Sequence, residues 1–249
     1  GYEAKVVVVM IGTNNTGHRK FADEPPADTI LGIREILKRV HAKQPKAKIV
    51  LCPILPRGKD VRDDLRRRNE IVNKEIRKYA DGRIVWWCDF SDQLVTADGR
   101  VSPDVMPDYL HPNEYGYEVW ASAVLPYVTA ALSDGKIPMP PNRYASNLDP
   151  LKFRMDGARA AYPSARFNQG MVSFDQAGRK PDWWALRLLR NRNAIAAAKG
   201  EMDVVFLGDS ITENWEGPGK AQWAELAKTY RMLNAGYGGD TTAHLLWRL

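Results

Sequence analysis

Cysteine, histidine and long apolar runs are what this sequence has least of. Its 249 residues hold two cysteines, Cys52 and Cys88, and four histidines. Each cysteine lies in its own apolar, strand-like run, and neither has metal-ligand spacing. They read as buried free thiols rather than a zinc site, with a disulfide between them left open. No apolar run approaches the roughly 18–20 residues needed to cross a bilayer, so no membrane span is expected. The run Val6-Val7-Val8-Val9-Met10-Ile11 is too short for one. It also lacks the basic start and small-residue cleavage site of a signal peptide, so any export signal is expected to be absent or already removed. A secreted or periplasmic location is the expectation. No sequence repeat of roughly 20–50 residues is present, which argues against a solenoid or propeller.

What is present is a globular composition. Hydrophobic residues make up 44% of the chain, enough for a sizeable core, and the formal net charge is +6. The basic residues Arg57, Lys59, Arg62, Arg66, Arg67 and Arg68 are interleaved with Asp60, Asp63 and Asp64. Mixed signs there describe a solvated surface rather than a nucleic-acid stripe, and no nucleic-acid partner is expected.

Hydrophobic patterning predicts alternating strands and helices. Residues 4–12, 48–55, 83–88, 203–207 and 232–236 read as five strands buried on both faces. Helices are predicted over 27–43, 62–79, 113–132, 183–199 and 221–229, with a further one starting at Asp240 as its cap. On the second helix Leu65, Ile71, Val72 and Ile76 are expected to face inward. Residues 133–182 contain many prolines and polar residues and read as a linker or surface wrap. This order predicts an α/β fold: a parallel sheet with helices on both faces, and polar segments gathered at the C-terminal ends of the strands.

Those strand ends carry the chemistry. An apolar run ending in Gly208-Asp209-Ser210 places a serine where a buried strand turns into a helix. Asp108-Tyr109-Leu110-His111 lets one short loop deliver a base and the carboxylate that orients it. Together they supply the parts of a Ser-His-Asp triad, which geometry defines and chain order does not. Gly12-Thr13-Asn14-Asn15 and Gly236-Tyr237-Gly238-Gly239-Asp240 fall at two further strand ends. Each segment alone has a plainer reading: Ser210 as a helix cap, His111 as structural, Asn14 and the glycines as turn residues. Asp209 is read as structural.

Taken jointly, these segments resemble the SGNH (GDSL-like) hydrolase superfamily. The resemblance is closest to the branch holding platelet-activating-factor acetylhydrolase catalytic subunits and bacterial carbohydrate acetyl esterases. It covers most of 1–132 and 183–249. It implies a three-layer, flavodoxin-like fold and a serine esterase removing small acyl groups such as acetyl. Ser210 is then the nucleophile, His111 the base and Asp108 its orienting carboxylate. Ser210 and Gly239 backbone N–H groups and the Asn14 side chain form the oxyanion hole. No metal or organic cofactor is required. Trp215 is the expected pocket wall, and the substrate is a small-molecule or polysaccharide ester.

The motif order departs from the family's. There the Ser segment comes first, followed by Gly, Asn and Asp-x-x-His; here the Asn and His segments precede those of Ser and Gly. Circular permutation accounts for this, with 1–132 and 183–249 as the two halves of one catalytic domain. So does a tandem or incomplete fragment whose site another chain completes. The expected state is a monomer or a reciprocal domain-swapped dimer. A lipid-directed or aryl esterase and a non-catalytic module are the competing functions.

Overall fold

A computed structural model describes residues 2–17, 24–133 and 183–249. Five strands form one parallel sheet: β1 (Glu3–Met10), β2 (Lys48–Leu51), β3 (Val85–Trp87), β4 (Glu201–Gly208) and β5 (Met232–Gly236). Their spatial order is β3-β2-β1-β4-β5. Counted from β4 instead of β1, the same order reads 2-1-3-4-5, the flavodoxin-like arrangement.

β1 and β4 form the middle of the sheet, paired from Glu3↔Glu201 to Met10↔Gly208. Alternate residues of β1 feed two cores. Val7 and Val9 join one face with Ile33, Ile36 and Leu37 of α1 (Pro26–Lys43), Val72 and Ile76 of α2 (Asp64–Ile76), Trp184 of α4 (Trp183–Ala197), and Leu245 and Leu246 of α7 (Thr242–Arg248). Val6, Val8 and Met10 join the other face with Tyr117, Trp120 and Val124 of α3 (Glu114–Leu132) and Ile211 of α5 (Ser210–Glu213). Burial on both sides explains why β1 is a continuous apolar run rather than an alternating one. A last helix, α6 (Lys220–Ala227), lies beyond α5 in the chain. The stretch expected as a linker, 133–182, lies outside the described residues apart from Ser133.

Several local expectations are corrected. β2 ends at Leu51 instead of running to residue 55, because Pro53 and Pro56 have no N–H to give the ladder. The Ile54 N–H instead donates to Asn73 Oδ1 at 2.8 Å. On α2, Ile71 points outward at 52% exposure, Leu65 is only half-buried, and Asn69 takes an inward place. Asn69 is held there by the Thr16 hydroxyl, which donates to its Oδ1 at 2.6 Å. α7 is capped by Thr241, which forms a capping box with His244; Asp240 is not the cap. Asp240 is fully buried, paired with Arg248 at 2.8 Å, and accepts from Trp184 Nε1 at 3.0 Å. Cys52 and Cys88 are free and buried.

Candidate active site

The position of Ser210 follows from a tight strand-to-helix turn. β4 ends at Gly208, where an added Cβ would sit 2.0 Å from Thr212 Oγ1 and 2.3 Å from the Met10 carbonyl. Only glycine fits such an approach. Asp209 follows, and its buried carboxylate accepts the Ile211 N–H at 3.0 Å, capping α5. Burial is the main cause that pushes the Asp209 pKa up, to about 7; the Ile211 N–H opposes it, neighbouring Asp240 adds to it, and Arg57 opposes it. Ser210 is the first residue of α5.

His111 and Asp108 arrive from the loop before α3. The Ser210 Oγ and His111 Nε2 lie 3.0 Å apart, and His111 Nδ1 lies 2.6 Å from Asp108 Oδ2. The other Asp108 oxygen accepts the backbone N–H groups of Leu110 at 3.0 Å and His111 at 2.7 Å. Burial pushes the Asp108 pKa up, but the His111 ring and these N–H groups outweigh it and hold the carboxyl below its usual range. Between them, Tyr109 adopts φ +59°, a left-handed conformation costly for a bulky residue. It is held by its N–H to the Met106 carbonyl at 2.9 Å and by Gly58, whose N–H donates to the Tyr109 carbonyl at 2.9 Å. Asn113 caps α3, as its sequence position suggests, accepting from Gly116 N–H at 3.1 Å. From α3 the Tyr117 hydroxyl donates to the Ile211 carbonyl, tying α3 to α5.

The remaining segments bring amide donors to the same edge. Gly12 turns the chain at φ +131°, with Ile54 Cδ1 only 2.6 Å from where a Cβ would lie. Asn14 Nδ2 donates one hydrogen to the Asp240 carbonyl at 2.9 Å, leaving its second hydrogen available. Asn15 completes the bridge: its Oδ1 accepts the Thr242 N–H and its Nδ2 donates to Thr242 Oγ1, both at 3.0 Å. Gly239 adopts φ +77°, and among the described residues neither its N–H nor that of Ser210 has a hydrogen-bond partner.

Ser210, His111, Asp108, Asn14 and Gly239 thus lie in segments that the fold holds together by hydrogen bonds. The arrangement can pass a proton from a serine hydroxyl to an imidazole and present unclaimed N–H donors nearby. Trp215 is the exception. It is fully buried, with ring centroids 4.9 Å from both Tyr117 and Trp120, so it is a core residue and not a pocket wall. Sequence reasoning missed Asn15, Arg57 and Glu213. Arg57 is buried and donates to the Thr13 carbonyl at 3.0 Å, bracing the Asn14 turn. Its place in Leu55-Pro56-Arg57-Gly58 was the available signal. Among the described residues no group of three or more His, Cys, Asp or Glu is placed to hold a metal ion, and no helix is long and apolar enough to cross a membrane.

Residues 1–119 match the model of the GDSL-like Lipase/Acylhydrolase family. The platelet-activating factor acetylhydrolase IB subunit alpha1 of Pongo abelii is 36% identical over 115 residues, covering 45% of this chain and 46% of that protein. The Bos taurus alpha1 subunit is 34% identical over 142 residues, 55% of this chain and 58% of its own length. The Rattus norvegicus alpha2 subunit is 35% identical over 117 residues, 45% of this chain and 47% of its own. The chain therefore spans about half the length of the curated relatives it matches. A solved structure from Streptococcus pneumonia matches at 19% identity with a TM-score of 0.40, covering 49% of this chain and 58% of that one. Over about half its length the chain is similar to GDSL-like acylhydrolases and to acetylhydrolase subunits.

Proposed function

We propose that the chain is a serine esterase removing small acyl groups, acetyl foremost, from carbohydrate. The observation that carries this reading is the unbroken hydrogen-bond relay from Ser210 through His111 to Asp108, at 3.0 and 2.6 Å. Ser210 Oγ attacks the ester carbonyl while His111 Nε2 takes its proton. The bond to the leaving alcohol then breaks, and the alcohol leaves with that proton, giving an acyl-enzyme. Water, deprotonated by the same imidazole, releases the acid and restores Ser210. Asp108 holds the ring tautomer and stabilises the imidazolium. Ser210 N–H, Gly239 N–H and Asn14 Nδ2 receive the negative charge on the tetrahedral oxygen.

A groove of about 830 Å³, lined by Tyr109 of the base loop with Lys59, Thr96, Asp98, Arg100 and Pro103 among others, is a candidate place for a carbohydrate chain. Lys59 Nζ lies 5.5 Å from the Tyr109 ring centroid, so the groove offers an aromatic wall with polar groups around it. That mixture suits a hydroxyl-rich chain better than an acyl tail. A second reading, a lipid-directed esterase, is favoured by the acetylhydrolase names of the curated relatives. Acetate release from acetylated xylan, aryl acetates and a short-acyl phospholipid separates the two. Preference for xylan supports the carbohydrate reading, and preference for the phospholipid overturns it.

We read the motif order as a circular permutation, with 1–132 and 183–249 forming one catalytic domain. The continuous pairing of β1 with β4 supports it. The test is hydrolysis of p-nitrophenyl acetate by the chain and by Ser210→Ala at several protein concentrations. Activity proportional to concentration, in a monomer by light scattering and lost in the variant, is the expected result. Specific activity that rises with concentration would instead mean a reciprocal dimer.

A further inference from the structure

The geometry points to Glu213 as a positioning residue for the oxyanion hole: its carboxylate fixes the Gly238–Gly239 turn relative to Ser210. The inference rests on the serine-esterase reading and adds a residue to it. Glu213 is the last residue of α5, three positions beyond Ser210. Its Oε2 accepts the Gly238 N–H at 2.6 Å, a short, charge-assisted bond. The next N–H along the chain is that of Gly239. Anchoring the Gly238 nitrogen leaves only the Gly238 φ and ψ between a fixed point and the Gly239 N–H.

The other end of this glycine run is held by the same group of charges. Arg187 on α4 is buried and donates through Nε to the Gly236 carbonyl at 2.6 Å. Its Nη1 lies 3.6 Å from Glu213 Oε1, and its two terminal nitrogens each meet Glu216 at 3.1 Å. A guanidinium thus grips residue 236, a carboxylate grips residue 238, and the two are paired with each other. The pairing offsets the negative charge that Glu213 would otherwise bring near a developing oxyanion. Space is as tight as the bonding: a Cβ on Gly238 would lie 2.6 Å from Glu213 Oε2 and 3.7 Å from Ser210 Cβ. The Asn234 side chain adds a third tie, donating to the Glu213 carbonyl at 3.1 Å. These bonds tie the Ser210 turn and the glycine turn to each other.

A residue that acts this way affects the transition state and leaves substrate binding alone. Removing a whole oxyanion donor costs about 10²–10³ in kcat, so loosening one is expected to cost about 10- to 100-fold. The experiment compares wild type, Glu213→Ala, Glu213→Gln and Ser210→Ala on p-nitrophenyl acetate, with folding followed by circular dichroism. Inhibition by an arylboronic acid, which forms a tetrahedral anionic adduct on serine, is measured alongside. Glu213→Ala is expected to lose kcat with KM within about twofold, and the boronate Ki should rise in step with the kcat loss. Glu213→Gln keeps an acceptor for the Gly238 N–H and should recover most of both. Full activity in Glu213→Ala beside a dead Ser210→Ala overturns this inference alone. A loss that glutamine does not recover, or that falls on KM, does the same. Retained activity in Ser210→Ala overturns the serine reading and this inference with it.

Discussion

On the Ser210 side of the site, Asp209, Asp240, Asn14 and Arg57 are all buried, and the Asn14 and Arg57 side chains donate to the Asp240 and Thr13 carbonyls of neighbouring segments. On the His111 side, one loop carries both working groups, with the Asp108 side chain 56% exposed and His111 27% exposed. Under the proposed esterase reading the two sides have different tasks. Oxyanion donors stabilise charge best when they are fixed before it appears, which favours a rigid, dehydrated setting. An imidazole that shuttles protons to an alcohol and then from water needs solvent access, and a three-residue tether to its carboxylate is enough to fix its tautomer. The contrast implies that substitutions on the base side should cost activity with little stability, while substitutions on the nucleophile side should cost both.

Asp108→Asn is the sharpest way to break that contrast. It should lower kcat by about 10³–10⁴-fold by disturbing the imidazole tautomer. Its stability should stay within about 0.5 kcal/mol of wild type, because an exposed amide can still accept the two backbone N–H bonds. A large shift in the urea midpoint would show that the loop is structural. Next is Trp215→Ala, which empties the fully buried ring behind the nucleophile helix and should cost about 3–5 kcal/mol in urea unfolding. Asn14→Ala should follow, with kcat down about 10²–10³-fold and a measurable stability loss from the broken Asp240 bridge.

A further contrast separates two aspartates by pH. The Asp209 pKa is raised from 3.8 to about 7 by burial first, so the folded state holds its proton more tightly than the unfolded chain. Its contribution to stability is complete below about pH 4 and is lost as pH rises toward 7. Asp209→Asn keeps the cap acceptor but cannot ionise, so its urea midpoint should gain on wild type between those values. Asp108 works in the opposite sense. Its lowered pKa means stability present above the unfolded value of 3.8 and lost as pH falls below it. Parallel wild-type and Asp209→Asn curves between pH 4 and 7 would rule out the buried-acid account.

Much of this was legible in advance. The five strands and the α3 cap at Asn113 follow from local pattern, because both depend on neighbours in sequence. So does the serine turn, since Gly208 is forced by backbone approach and Ser210 by the strand end. What was not legible depends on partners far along the chain. Asp240 carries a capping residue's composition, yet Arg248 and Trp184 draw it inward and leave Thr241 to cap. Ile71 fits the helical period, but Asn69 claims the inward place because Thr16 and the Leu55 carbonyl await it. Trp215 sits one turn past the nucleophile, and only its contacts with Phe206, Tyr117 and Trp120 show that it faces the core. Glu213 looks like any helix-surface carboxylate until Gly238 is seen beside it.

The β1–β4 pair also sets the tempo at which this molecule becomes itself. Its partners stand nearly the whole described chain apart, so the centre of the sheet depends on a contact of the longest range, the kind that slows folding most. Among the described residues, the strand that covers this edge of β1 is β4, which is made long after it. That interval is when an apolar edge is open to pairing with another chain. Ser210 follows β4 directly, so pairing of that strand with β1 and the meeting of Ser210 with His111 are completed by the same late stretch of chain.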